Sequence, residues 1–340
     1  MSLVSNAARA RLSSALFQVA RWRHEHRLMA RDPIALEPYI EPHNRELGFS
    51  HGYIAGYTGE TARWLGSVRY AGEAAKQDPV DLCHWAIDRF HAFLETGDAA
   101  AREDFLAESR RLHARGHLSE RAGRRCFVVP QCAPGEGHAA PWLGASAQGC
   151  VGAVLIRAFQ LTGDRLFEEA ARAAIQPFLI DVAAGGVRGV ERHGHVFYDE
   201  VALPGRARHV LNGFLSALLG IWDVARATGD ADARRAFDDG VAGLDDRVLA
   251  SFDTGHVTLH EQGPPARVTP SCAFATWLHV RRLAALARIT RQPRLFAWAE
   301  RWRAYVQGAE HRAVTAIECL RPRSWPRHTL EAASWPRAAS

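Results

Sequence analysis

Three copies of one short word, set at a fixed interval, constrain this chain more than any other feature. The word is Thr-Gly-Asp, at Thr96-Gly97-Asp98, Thr162-Gly163-Asp164 and Thr228-Gly229-Asp230, with 66 residues from each copy to the next. A degenerate fourth copy, Thr290-Arg291-Gln292-Pro293, follows 62 residues later. Self-similarity at such a period is the mark of stacked supersecondary units. Glycine suits the left-handed C-cap of an incoming helix and aspartate the N-cap of an outgoing one, so each word joins two helices. Apolar residues flank the words at helical spacing: Val151, Val154, Leu155 and Ala158 before the second, Phe167, Ala170, Ala171 and Ala174 after it. Leu211, Phe214, Leu215, Leu218 and Trp222 precede the third, and Leu295, Trp298, Trp302 and Tyr305 follow the fourth.

Between the hairpins run longer loops rich in Gly, Pro and His, at 116–144, 183–207 and 251–271. Two of them hold alternating segments, His195 to Ala202 and His256 to Glu261, that read as strands. Helical pairs at a constant period with their long loops on one side predict an all-α (α/α) toroid of five to six hairpins. Short β-hairpins then sit in the loops at one mouth, the natural place for a site. An open solenoid is the alternative. We divide the chain into 1–58, a basic helix with a Gly/Tyr-rich segment; 59–310, the toroid; and 311–340, a tail rich in Pro, Trp and Arg.

Composition narrows the function. The net charge of +5 is carried by 41 arginines and one lysine, which suits an acidic polymer. No basic cluster interleaved with aromatics and no helix-turn-helix pattern is present, which argues against nucleic acid. No apolar run approaches the roughly 20 residues of a membrane span, and we expect a cytoplasmic protein. The six cysteines, Cys83, Cys126, Cys132, Cys150, Cys272 and Cys319, form no CxxC pair and read as reduced thiols. No GxGxxG follows a strand and no His/carboxylate set has metal spacing, so no cofactor and no metal are expected. A second copy of the chain, giving a homodimer, is the protein partner left open.

A longer pattern runs through 142–230. Trp142-Leu-Gly-Ala-Ser146-Ala-Gln148-Gly149, Phe197-Tyr198-Asp199-Glu200 and Val210-Leu211-Asn212-Gly213-Phe214 resemble the C-terminal domain of D-glucuronyl C5-epimerases, as do Leu218-Leu-Gly220-Ile-Trp222-Asp223 and Phe252-Asp253-Thr254-Gly255. Weaker agreement extends from about Asp78 to Trp302. The resemblance implies an (α/α) toroid acting on a hexuronic acid in a polysaccharide or its precursor. The reaction removes the proton α to the carboxylate at C5 and returns one to the opposite face. It needs two acid–base groups flanking the sugar and donors that stabilise charge on its carboxylate.

The same resemblance locates departures. Glu200 aligns with a glutamate of the family's site, but the tyrosine after it is Val201 here. A second catalytic tyrosine aligns with His260 and a third with about Ala275. We therefore expect an altered acid–base set of Glu200, His260 and Tyr198, histidine being a competent proton carrier near neutral pH. On a regular strand Tyr198 and Glu200 share one face, and on the next His256, Thr258 and His260 share one face with Glu261 turned away. Substrate contacts are expected from Asn212, Gln148, Arg208, Trp142 and His256: Arg208 for the sugar carboxylate, Trp142 for stacking on a ring. Tyr53 and Tyr57, in the Gly-rich segment 48–59, are candidates to replace the missing tyrosines on residue type alone. Glycoside hydrolysis, uronate lyase chemistry and non-catalytic glycan binding are the alternatives on the same toroid.

Overall fold

The computed structural model describes residues 29–35, 78–131, 142–205, 208–263 and 267–307. Most of the 1–58 and all of the 311–340 assignments, with Tyr53, Tyr57, Cys132 and Cys319, lie outside these residues.

Four helical hairpins are present among them. They are α1 (Pro79–Thr96) with α2 (Ala99–Arg115), α3 (Ala145–Thr162) with α4 (Arg165–Ile175), α5 (Leu211–Thr228) with α6 (Ala231–Ala242), and α8 (Ala273–Thr290) with α9 (Pro293–Gln307). A short helix, α7 (Asp246–Ser251), follows α6. The Thr-Gly-Asp chemistry is as the sequence predicts. Gly97, Gly163 and Gly229 end the incoming helices at φ 68°, 71° and 64°, and Asp98, Asp164 and Asp230 accept from backbone N–H groups of the outgoing ones. Each threonine hydroxyl donates to the carbonyl four residues back, then accepts from the aspartate N–H. The fourth turn keeps the left-handed cap with Arg291 at φ 54°, a conformation costly for a residue bearing a Cβ.

The hairpins form two layers. α3, α5 and α8 are buried along nearly their whole length, whereas α4 and α6 show one buried stripe. The inner helices run parallel: Cys150 contacts Ser216 near the start of α3 and α5, and Arg157 pairs with Asp223 further along both. Asn212 at the start of α5 donates to the carbonyl of Ala275 at the start of α8. All inner N-termini therefore gather at one end and the turn words at the other. This is the (α/α) toroid, with four of its hairpins in the described residues. One apolar core runs through all four, from Leu82 and Phe90 of α1 to Val280 and Trp302 of the last pair.

Three small antiparallel units decorate the mouth: β1 (His117–Arg121) with β2 (Arg124–Val128), β3 (Arg188–Val190) with β4 (Val196–Tyr198), and β5 (His209–Val210) with β6 (Leu259–Gly263) and β7 (Arg267–Pro270). A bridge between Val201 and Arg208 extends the last unit, so the segment carrying Glu200 lies against β5 and β5 lies against β6. Cys83, Cys126 and Cys150 are buried free thiols and Cys272 is exposed. Burial pushes the Cys150 thiol up to about 11. No helix among the described residues is long and apolar enough to cross a membrane.

Candidate functional site

The site is assembled where the N-termini of the inner helices meet the strand ladder. Glu200 leaves β4 after two residues of irregular chain and turns its carboxylate onto the first turn of α3. Ser146 N donates to Oε2 at 3.0 Å and Ser146 Oγ donates to Oε1 at 2.6 Å. An anion at that position also meets the positive end of the helix. On its other side stands Gly213 in the first turn of α5, where a Cβ would lie 2.5 Å from Oε2. The glycine is thus what lets a carboxylate fit between two helix starts. Burial raises the Glu200 pKa above its ordinary 4.5, the Ser146 and Gln131 hydrogen bonds pull it down, and the negative charge of Asp78 at the start of α1 adds to the rise.

Its main chain is pinned as firmly. The Glu200 carbonyl accepts the Trp142 indole N–H at 3.2 Å, and its N–H donates to the Arg208 carbonyl at 3.3 Å. The Arg208 guanidinium pairs with Glu261, whose side chain is buried. Asn212 joins α5 to α8: its Oδ1 and its carbonyl both accept from Arg282 Nη1, at 2.9 and 3.2 Å. Arg282 is itself buried, and its charge adds to burial in holding His84 of α1 down at about 3. His279, fully buried on α8, has Nδ1 2.9 Å from Thr258 Oγ1, and the same hydroxyl lies 2.9 Å from Thr276 Oγ1. Burial and, after it, the neighbouring His260 and Arg282 push the His279 pKa well down, which keeps that ring neutral.

Several expectations need correction. Tyr198 does not share a face with Glu200: it is fully buried, donates its hydroxyl to the Ala236 carbonyl at 2.5 Å and packs edge-on to Phe178 and Phe214. Burial pushes its phenol pKa up, so it is a core residue with no route to a substrate. Gln148 is fully buried too, accepting from Val129 N and donating to the carbonyls of Phe127 and Ala174. It ties β2 to α3 and α4 and has nothing left to offer a sugar. Trp142 is 7% exposed and serves the Glu200 backbone, not a ring stack.

The second strand departs from simple alternation. Leu259 pairs with Pro270 but Glu261 already pairs with Thr269, so β6 carries one extra residue, His260. Such a bulge reverses the facing of whatever follows it. Glu261 consequently turns inward to Arg208, opposite to expectation. His260 is half-buried beside it, while His256 is exposed on the preceding turn and outside the strand. Arg208 reaches the site already paired with an internal carboxylate.

Ser146, Glu261, Arg282, His279 and the Asp199–His209 pair went unread in the sequence as members of this cluster. Ser146 had a signal, since a serine in the first turn of a helix commonly serves an anion or a cap. The others are joined only by tertiary packing. Among the described residues no group of three His, Cys, Asp or Glu side chains is placed to hold a metal ion.

A double layer of helical hairpins that gathers a capped carboxylate, an arginine–carboxylate pair and a histidine-bearing bulge at one mouth defines an (α/α) toroid with a polar, charged rim. The chain belongs to the family described as D-glucuronyl C5-epimerase C-terminus, whose model matches residues 126–304. Over 184 residues it is 33% identical to D-glucuronyl C5-epimerase of Caenorhabditis elegans, a match covering 49% of this chain and 29% of that protein. It is 32% identical over 124 residues to an uncharacterized protein of Methanocaldococcus jannaschii, covering 35% of this chain and 39% of the other. The chain thus spans well under half the length of these relatives. Among solved structures, an unsaturated glucuronyl hydrolase specific for heparin superposes with a TM-score of 0.50 at 13% identity, covering 85% of this chain and 84% of that one. At that identity the likeness is one of fold.

Proposed function

We propose that this chain acts on a hexuronic acid residue of a polysaccharide, or of its precursor, by removing and returning the proton at C5. One observation carries the reading. Glu200, and the three positions at which the resemblance expects tyrosine, converge on the same corner: Val201 pairs with Arg208, His260 forms the bulge beside Glu261, and Ala275 accepts from Asn212. Family membership and the named relative support the same choice.

In this reading Glu200 is the base, its pKa raised by burial above the ordinary carboxylate value. His260 is the second proton carrier in place of a phenol. The segment holding Glu200 and the strand β6 are two ladder spacings apart, about 10 Å. Asn212, with Arg282 behind it, meets the carboxylate on which charge builds. Incubation of the full chain with glucuronate-containing polysaccharides in deuterated water tests this. Deuterium at C5 without chain cleavage is the expected outcome, and no exchange on any uronate polymer overturns it.

Hydrolysis is the second reading, because Glu200 and Glu261 are two carboxylates on one ladder and glycosidases use such a pair. It ranks lower because Glu261 is committed to Arg208. New reducing ends in the same incubation would select it.

A further inference from the structure

Asp199 is an odd residue to find where it is. It is fully buried, and its Oδ1 lies 2.6 Å from His209 Nδ1. Its Oδ2 is buried with no hydrogen-bond partner and is pressed against Gly189, where a Cβ would stand 2.3 Å away. A half-satisfied buried carboxylate costs stability, and replacing such groups with neutral ones is often favourable. A chain that keeps one at that cost has a use for it.

Geometry says what the use is. Asp199 and Glu200 are consecutive, and so are Arg208 and His209 on the neighbouring segment. Glu200 N donates to the Arg208 carbonyl, and the Asp199 side chain bonds His209, so the two segments are tied at two successive residues. The Asp199 carbonyl also accepts Ala145 N at the start of α3, one residue before the Ser146 that holds the Glu200 carboxylate. His209 is held in turn by Phe197, ring centroids 4.8 Å apart, which stacks on Phe214 of α5.

We infer that the Asp199–His209 pair is the positioning brace of the candidate site: by locking the two segments together, it fixes the Glu200 carboxylate against α3 and Arg208 against Glu261. The inference rests on the proposed function for its catalytic consequence but not for its structural one. Because consecutive residues are rigidly linked, a slip at Asp199 is a slip at Glu200, and misplacement of a reacting group by about 1 Å costs on the order of a hundredfold in rate.

The test uses the full-length chain with Asp199→Asn, His209→Phe and His209→Asn, the last keeping an amide donor near the Nδ1 position. Two readouts are taken. The first is the indole N–H resonance of Trp142, which donates to the Glu200 carbonyl and reports the segment's position without any substrate. The second is C5 exchange on a glucuronate polysaccharide in deuterated water. The brace predicts that Asp199→Asn and His209→Phe shift the Trp142 resonance and lower kcat at least tenfold. KM should stay within about twofold; thermal stability should be unchanged or raised in Asp199→Asn and lowered in His209→Phe, which leaves the buried Asp199 carboxylate without its partner. His209→Asn recovers most of both. A Trp142 resonance unmoved in both damaging variants, or His209→Asn behaving like His209→Phe, overturns the inference. Should the unsubstituted chain exchange no uronate, the functional reading falls alone and the Trp142 resonance still decides the brace. Should Asp199→Asn fail to fold, the two His209 variants decide it.

Discussion

Glu200 shows how a single side chain can be chemically placed by two helix starts and one absent methyl group. Its folded-state pKa stands above the ordinary 4.5, so the fold favours the protonated form. The sign follows: this group's contribution to stability is fully present below pH 4.5 and is lost as pH rises through the raised value. Glu200→Gln should therefore flatten the fall in stability as pH rises above 4.5, measured by denaturant unfolding, while lowering C5 exchange on the order of a hundredfold or more. Gly213→Ala should keep the fold, since only the end of a side chain is displaced, yet lose exchange as the carboxylate leaves Ser146. Arg208→Ala strands the buried Glu261 and should cost about 2 kcal/mol, below the 3–5 kcal/mol of a fully buried pair because Arg208 is 22% exposed. Calorimetric or denaturant midpoints check this, and Glu261→Gln in the same background should recover part of the loss.

At the scale of elements, sequence and structure agree where the physics is local and part where it is not. The Thr-Gly-Asp turns were legible because a left-handed cap and an N-cap each need a particular residue type within three positions. Arg291 is the exception that measures the rule: glycine there should raise stability by about 0.5–1 kcal/mol in denaturant unfolding, the relief of left-handed strain exceeding the added chain entropy. Of the strand expected at 256–261 only the second half is strand, within Leu259–Gly263, and its facing differs from expectation. Alternation is a period-two rule, and the extra residue at His260 shifts it by one. Nothing in the local composition announces a bulge. Tyr198 was misread for a related reason: β4 stops there, and the irregular chain after it turns Glu200 to a side that strand geometry does not give. Gln148 was read as facing the mouth because it lies near a helix entrance; the edge of β2 that it satisfies comes from a segment some twenty residues earlier.

Taken whole, the molecule separates what holds it together from what it does. The inner helices are joined deep in the core by Arg157 and Asp223, whose side chains are 0% and 1% exposed. Burial raises the Asp223 carboxyl to about 7 against the pull of Arg157. Arg157→Met alone leaves that acid uncompensated and should cost about 3–5 kcal/mol, whereas adding Asp223→Leu should return most of it, as denaturant midpoints of the two variants will show. Neither change touches the mouth. The turn words lie at the opposite ends of the inner helices, about 27 Å from the helix starts for an 18-residue helix. Thr96 to Asp98 is exposed on that far side. A break in the chain at this turn would therefore lie about a helix length away from Glu200. A chain reopened at Gly97 would still bring the first turns of α3, α5 and α8 to one rim, with Glu200 held between two of them.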